Sequence, residues 1–193
     1  MLHCILKKDS KIAYIDSTAL KVCHVKRMSR NKVFKGIAEK GKSTMGSFFG
    51  FKLYIVIDSK GNLMSFMITK GNVHDVKVVS QITEGIRGLL FGDKGYISHP
   101  LFLRLLARGL KLITYIKKNM KNILMDLNEK ILLRKRPIVE TVFSYLKGQL
   151  QIEHTRHRSF QNMLVHVISA LMNYQLKPNK PSISNGKLLS SNP

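Results

Sequence analysis

One stretch, LLFGDKGYISHP at residues 89–100, restricts the possible folds more than any other part of the sequence. Its first three residues are apolar and predict a buried strand, which ends in a Gly-Asp pair at Asp93. Gly95 interrupts the pattern, and Ser98 followed by Pro100 predicts the start of a helix. We therefore expect Asp93 at the carboxyl end of a core strand, where open α/β sheets place their functional groups.

Hydrophobic periodicity predicts an alternation of strands and helices around this stretch. Two apolar arms at residues 51–58 and 63–70, joined by the turn SKGN, predict a central hairpin. Two further strands are predicted at residues 11–16 and 110–116. Helices are predicted at residues 75–85 and 101–108, the second ending at a glycine. Asp75 is interpreted as a cap or first-turn acid of its helix.

The second half of the chain predicts two more helices. The first begins at Pro137, and its apolar stripe leaves Arg136, Glu140, Ser144 and Lys147 together on another face. The last helix covers residues 160–176, and we expect a disordered tail at residues 177–193. Residues 117–136 follow no clear pattern. The length of 193 residues suits one domain, at residues 1–176.

The charge of the chain points to a polyanionic partner. Lys and Arg number 33 against 11 Asp and Glu, a net charge of +22. Residues 21–52 are one-sidedly basic with interleaved phenylalanines, which favours contact with nucleic acid phosphates. No apolar run is long enough to cross a bilayer, and Lys7, Lys8 and Asp9 interrupt any leader, so we expect no membrane partner and a cytoplasmic, nucleoid-associated protein.

Two weaker motifs suggest other functions. Residues 36–43 satisfy the G-x-x-x-x-G-K-S pattern of a nucleotide-binding P-loop, but the flanking sequence does not predict the strand and helix that such a loop needs. Cys4 and Cys23 each have a neighbouring histidine, yet their spacing matches no zinc finger. Reduced thiols are the preferred interpretation.

The order of predicted elements resembles the RNase H-like fold, a mixed five-stranded sheet flanked by helices, here with a basic insertion after the first strand. In that fold, acids at the ends of the first and fourth strands and on a late helix form a site, and Asp16, Asp93 and Glu140 hold those places. Three gathered carboxylates repel one another unless a cation neutralises them. Carboxylate oxygens suit Mg²⁺, and two such ions can clamp a phosphoryl displacement.

The motifs IDS, GKSTMGSFFGFKLYIVID, GNVHD, LLFGDKGY and RPIVETVFSYLKGQL resemble those of DDE-type transposases of bacterial insertion sequences. Several such families carry a Tyr-x-x-Arg-x-x-x-Glu-x-x-x-x-x-x-Lys signature. Arg136, Glu140 and Lys147 have its spacing, whereas Leu133 replaces the tyrosine.

This resemblance implies that Asp16, Asp93 and Glu140 are the catalytic acids and hold two Mg²⁺ ions, for which Mn²⁺ can substitute. It implies cleavage of DNA at the element's ends, strand transfer into target DNA, and a homodimer on DNA. Together with the charge pattern, it predicts nine DNA-binding residues: Lys26, Arg27, Arg30, Lys42, Lys94, Arg136, Lys147, Arg156 and Arg158.

One departure from the family concerns the region before the first acid. Such transposases usually carry an N-terminal helical DNA-binding region, whereas only fifteen residues precede Asp16. This departure and the charge are also consistent with an inactive DNA-binding remnant. A structure-selective nuclease on the same fold is a second alternative.

Overall fold

A computed structural model describes residues 2–6, 10–43, 46–116, 125–153 and 157–183. Within these ranges seven strands form one sheet. The strands are β1 (Leu2–Ile5), β2 (Ile12–Cys23), β3 (Glu39–Ser43), β4 (Gly46–Asp58), β5 (Leu63–Lys70), β6 (Gly88–Gly92) and β7 (Leu110–Thr114). The helices are α1 (Asp75–Ile82), α2 (His99–Leu106), α3 (Leu127–Arg134), α4 (Ile138–Gly148) and α5 (Phe160–Leu176).

The sheet is mixed, with the strand order β1-β5-β4-β2-β6-β7 and β3 paired to β4. β2, β4 and β5 are antiparallel neighbours, whereas β6 and β7 run parallel to β2. The predicted class, an RNase H-like mixed sheet flanked by helices, is confirmed, but the sheet has seven strands rather than five.

Each face of the sheet carries its own hydrophobic core, because successive side chains of a strand point to opposite faces. Leu53 and Ile55 of β4 belong to the cluster that includes α3, α4 and α5. Tyr54 and Val56 belong to the cluster with α1 and α2. All four are fully buried, and burying a side chain of this size contributes about 1.5–3 kcal/mol. Strands apolar on both faces therefore belong in the middle of the sheet.

The first predicted strand continues much further than its sequence pattern indicates. β2 runs on to Cys23, paired with β4 and with Leu20 and Val22 buried. Asp16 therefore lies within a strand and not at its end. The basic segment at residues 21–52 is correspondingly not an insertion outside the sheet, since it includes the end of β2, β3 and the first half of β4.

The P-loop interpretation of residues 36–43 is wrong. Glu39–Ser43 is a strand that pairs with β4, and the next described residues, from Gly46, are β4 itself, so no helix begins there. Cys4 and Cys23 lie on β1 and β2, which β5 and β4 separate, and both are free thiols.

The start of the expected disordered tail contacts the folded domain. The N–H of Ile183 donates to the carbonyl of Ser59, 2.9 Å away, in the turn of the hairpin. The Lys177 ammonium lies 4.1 Å from the centre of the Tyr145 ring. Residues 177–183 thus pack on the domain, and residues 184–193 lie outside the described ranges, as do residues 117–124 of the segment without a clear pattern. In the described ranges, no helix has the length and apolarity to cross a bilayer.

The contact between β3 and the loop after β5 requires a glycine. A Cβ on Gly41 would lie 2.2 Å from the Gly71 carbonyl oxygen, whereas one on Gly148, at the end of α4, would meet nothing within 4 Å.

We expect Gly41→Ala to destabilise the protein by about 1–3 kcal/mol, because the backbone of β3 or of the loop must move to make room for the methyl group. Gly148→Ala, the matched control, should change stability by less than about 1 kcal/mol. Urea denaturation measures both, and equal midpoints would contradict the close packing of β3.

Candidate active site

A cleft of about 310 Å³ lies where β6 ends beside β2. β6 pairs with β2 only from Ile12 to Tyr14, so the described part of β2 beyond that point has an edge without a parallel neighbour. Ser17, Thr18 and Ala19 of that edge line the cleft. All three acids predicted from the sequence line it as well, so the fold brings them to one place.

Asp16 and Asp93 enter the cleft from neighbouring strands. Asp16 lies opposite Ile55 of β4, and its Oδ1 accepts the Ser17 N–H at 2.8 Å. Asp93 follows β6 directly, and its Oδ1 accepts the Lys94 N–H at 2.7 Å. That bond caps the short 3-10 turn Lys94–Tyr96 and holds Asp93 at the carboxyl end of β6, as predicted.

Glu140 enters the cleft from the first turn of α4. Val139 and Val142 are fully buried on either side of it in sequence and fix the orientation of the helix, which leaves Glu140 on the open face. Its carboxylate side chain is 58% exposed, against 17% for that of Asp16. The Glu140 carboxylate therefore stays largely hydrated, whereas that of Asp16 is mostly shielded from solvent.

Arg136 contacts two of the acids, Asp16 of β2 and Glu140 of α4. One terminal nitrogen, Nη2, lies 2.7 Å from Oδ2 of Asp16, and the other, Nη1, lies 3.0 Å from Oε1 of Glu140. The arginine side chain is only 12% exposed. A guanidinium presents its N–H groups in a rigid plane, so a single side chain can bind two carboxylates.

The electrostatics of Asp16 reflect this crowding. Burial raises its pKa from 3.8 to about 6, against the opposing effects of the Arg136 guanidinium and the Ser17 N–H. The negative charges of Asp93 and Glu140 raise the pKa further. The nearby positive charge thus does not offset the effect of burial, and the Asp16 carboxyl stays protonated to a higher pH than an ordinary aspartate does.

The donor chemistry of the cleft suits a divalent metal ion, but the side chains are not arranged as a metal site. Among the described residues, no group of three or more His, Cys, Asp or Glu is placed to hold a metal ion. Both carboxylate oxygens of Asp16 already accept hydrogen bonds, from Ser17 and Arg136. Carboxylates are the ligands that Mg²⁺ prefers, so the residues fit such an ion once the guanidinium has moved.

The predicted DNA-binding residues fall into three groups. Lys42 lines the cleft and Arg136 lies inside it, and Lys94, adjacent to Asp93, is exposed. Lys147 pairs with Glu153 at 2.9 Å. The others are exposed away from the cleft lining, at Lys26, Arg27, Arg30 and Arg158, and Arg156 lies outside the described residues.

A second polar network in the cleft was not predicted. Asp75, interpreted as a cap or first-turn acid, is an acid of the first turn of α1, whose N-cap is His74. Oδ1 of Asp75 accepts from Lys52 at 2.9 Å and from Tyr54 at 2.7 Å. Burial, with the Asp75 carboxylate, raises the pKa of Tyr54, which keeps the phenol protonated as a donor. The sequence feature that could have revealed this network is Lys52, a lysine within an apolar strand. A buried lysine must find a polar or charged partner.

A comparison with protein families matches most of this chain. A family model described as "Transposase DDE domain" matches residues 6–160. Among solved structures, the chain is similar to a piggyBac transposase in a synaptic complex with hairpin DNA, at 17% identity and a TM-score of 0.43. The match covers 60% of this chain and 25% of that one, so the chain spans about a quarter of its length. A search of curated proteins gave no match.

The raised pKa of Asp16 predicts how stability depends on pH when divalent cations are absent. Because the folded-state pKa of about 6 exceeds the ordinary 3.8, the contribution of this group is fully present below pH 4 and is lost as pH rises to 7. We expect the loss to be on the order of 2 kcal/mol. This pH-dependent loss of stability should be absent from Asp16→Asn. Denaturation of both proteins in EDTA from pH 4 to 7 measures it, and parallel curves would contradict the assignment.

Proposed function

Because this chain belongs to the transposase DDE domain family, we propose that it cleaves DNA strands and joins them to a target, with Asp16, Asp93 and Glu140 as its catalytic acids. The observation that carries the proposal is that these three residues, separated by more than seventy and then more than forty positions in the sequence, line one cleft. Their convergence needs a physical use, since gathered carboxylates repel one another.

We propose that the three acids hold two Mg²⁺ ions, with Mn²⁺ able to replace them. Such ions, when bound, supply an activated nucleophile and neutralise charge that develops on the phosphate. The residues of the chain provide the rest. β2 holds Asp16, Asp93 directly follows the adjacent strand β6, and Glu140 lies in the first turn of α4. Residues on or next to strands and helices are positioned more precisely than residues of a long loop.

DNA is the proposed substrate and partner. The net charge of +22 attracts a polyanion, and Lys42 and Lys52 bring positive charge into the cleft itself. Lys94 lies beside Asp93, and the exposed Lys26, Arg27 and Arg30 extend the basic surface. Phosphate contacts of this kind give affinity that falls steeply with salt and carry no sequence information.

Arg136 and Lys147 are proposed to contact phosphates near the cleaved bond. Both are paired with acids in this structure, Arg136 with Asp16 and Glu140 and Lys147 with Glu153. DNA would therefore have to exchange these ion pairs for phosphate contacts. A homodimer on DNA, association with the nucleoid and an origin in a bacterial insertion sequence are supported by the motif resemblance alone.

The proposal is tested by replacing each acid with its amide. We expect Asp16→Asn, Asp93→Asn and Glu140→Gln each to lower cleavage of end-containing DNA by about a hundredfold or more, because each removes a proposed metal ligand. DNA affinity should be retained, since the substitutions remove negative charge. Glu129→Gln, which removes an acid paired with Lys111 outside the cleft, is the matched control and should cleave normally.

Strand transfer with a pre-cleaved end separates this function from its alternatives. A transposase joins that end to target DNA when Mg²⁺ is present. A structure-selective nuclease cuts without joining. A DNA-binding protein without activity binds DNA but does neither, and its amide variants match the wild type. Either of the last two results would overturn the proposed function.

A further inference from the structure

We propose that Arg136 is a latch that holds Asp16 and Glu140 until a DNA phosphate draws its guanidinium away, so that the divalent cation enters after DNA. This inference rests on the proposed function and concerns the regulation of the same site. It starts from one observation, that a single guanidinium bridges two of the three acids through separate nitrogens, at 2.7 and 3.0 Å.

The bridge occupies oxygens that a cation would need. Oδ2 of Asp16 accepts from Arg136, and Oδ1 of the same carboxylate accepts from the Ser17 N–H at 2.8 Å. Oε1 of Glu140 accepts from the arginine as well. A divalent cation bound to these oxygens would place its positive charge beside that of the guanidinium, and like charges repel. Cation binding and the bridge therefore oppose each other.

The latch is built to open from one side. The Glu140 side chain is 58% exposed, and an ion pair in contact with solvent is weak. The Asp16 side chain is mostly buried, and breaking that half of the bridge without a replacement cation would leave a buried charge uncompensated, which is costly. Nε of Arg136 is buried and has no hydrogen-bond partner among the residues that the structure describes. The guanidinium is therefore held by the two acids rather than by a complete set of acceptors.

Position in the chain lets Arg136 move without disturbing either helix. It lies in the short turn between α3, which ends at Arg134, and α4, which begins at Ile138. Its long side chain can reorient while its backbone stays fixed by the Val139 N–H, which donates to the Arg136 carbonyl at 3.0 Å. Phosphate is a strong competitor for the guanidinium, since it accepts two parallel N–H bonds.

Thermodynamic linkage makes the latch measurable without any cleavage. If DNA removes the guanidinium from the acids, DNA must strengthen cation binding, and the cation must strengthen DNA binding by the same factor. Both couplings should shrink when residue 136 has no charge to transfer, because only the direct contact between cation and phosphate then remains. An arginine that merely supports the acids would have the opposite effect, because its loss would weaken the cation site.

The experiment titrates MnCl₂ into the full chain, with and without a short DNA duplex, and follows binding by calorimetry and by the electron paramagnetic resonance of free Mn²⁺. Arg136→Gln should bind Mn²⁺ about tenfold more tightly than the wild type without DNA, within the usual range of coupling between sites. DNA should strengthen Mn²⁺ binding to the wild type by a clearly larger factor than to Arg136→Gln.

Two further variants control for charge and for folding. Arg134→Gln removes the same charge from the exposed end of α3, two residues away, and should change Mn²⁺ affinity much less. Arg136→Lys keeps the charge but lacks the planar fork, so its affinity should lie between those of the wild type and Arg136→Gln. If one variant at position 136 is poorly folded, the other still shows whether Mn²⁺ binds more tightly than to the wild type.

The outcomes separate the latch from the proposed function. Mn²⁺ binding that Asp16→Asn abolishes, but that Arg136→Gln leaves unchanged or weakens, would overturn the latch and leave the function standing. The absence of any Asp16-dependent Mn²⁺ binding, in all variants and with DNA, would overturn both.

Discussion

The antiparallel pairing of β2 with β4 positions the residues around which both polar networks of the cleft form, Asp16 on β2 and Lys52 with Tyr54 on β4. Alternate residues of the two strands point to opposite faces of the sheet, so Asp16 reaches the arginine that precedes α4, while Lys52 and Tyr54 reach Asp75 of α1. A register shift by one residue would exchange these faces. Because β6 stops at Gly92, the cleft opens at the edge of β2 where both groups are within reach.

The acids of the cleft are stabilised in different ways, which explains how one protein tolerates them together. Asp16 is mostly buried and has Arg136, and Asp75 has Lys52 with a phenol. Glu140 shares the arginine but keeps its hydration, and Asp93 is exposed and accepts a backbone N–H. The greatest conflict is at Asp16, whose pKa is raised by burial despite its partner.

Prediction from sequence succeeded where apolar pattern and fold agreed. The hairpin arms, the strand before Asp93 and the last helix at Phe160–Leu176 follow from their periodicity, and the three acids were placed in one cleft. β3, with the sequence EKGKS, was missed because it has no apolar signal of its own and is a strand only through pairing with β4. β2 was cut short for a related reason, since Ser17 and Thr18 interrupt its hydrophobic pattern.

The sequence by itself determined the class of fold, the strongly basic charge and the identity of the acids, because these depend on residue type and on local periodicity. It also placed Arg136 and Glu140 one helical turn apart. Only the tertiary structure decided that the same arginine binds Asp16, 120 positions away, and that Lys52 binds Asp75. The physical reason is that an ion pair requires two side chains within a few ångströms and in matching orientation. Strand register and helix packing set that distance, and neither can be read from residue spacing.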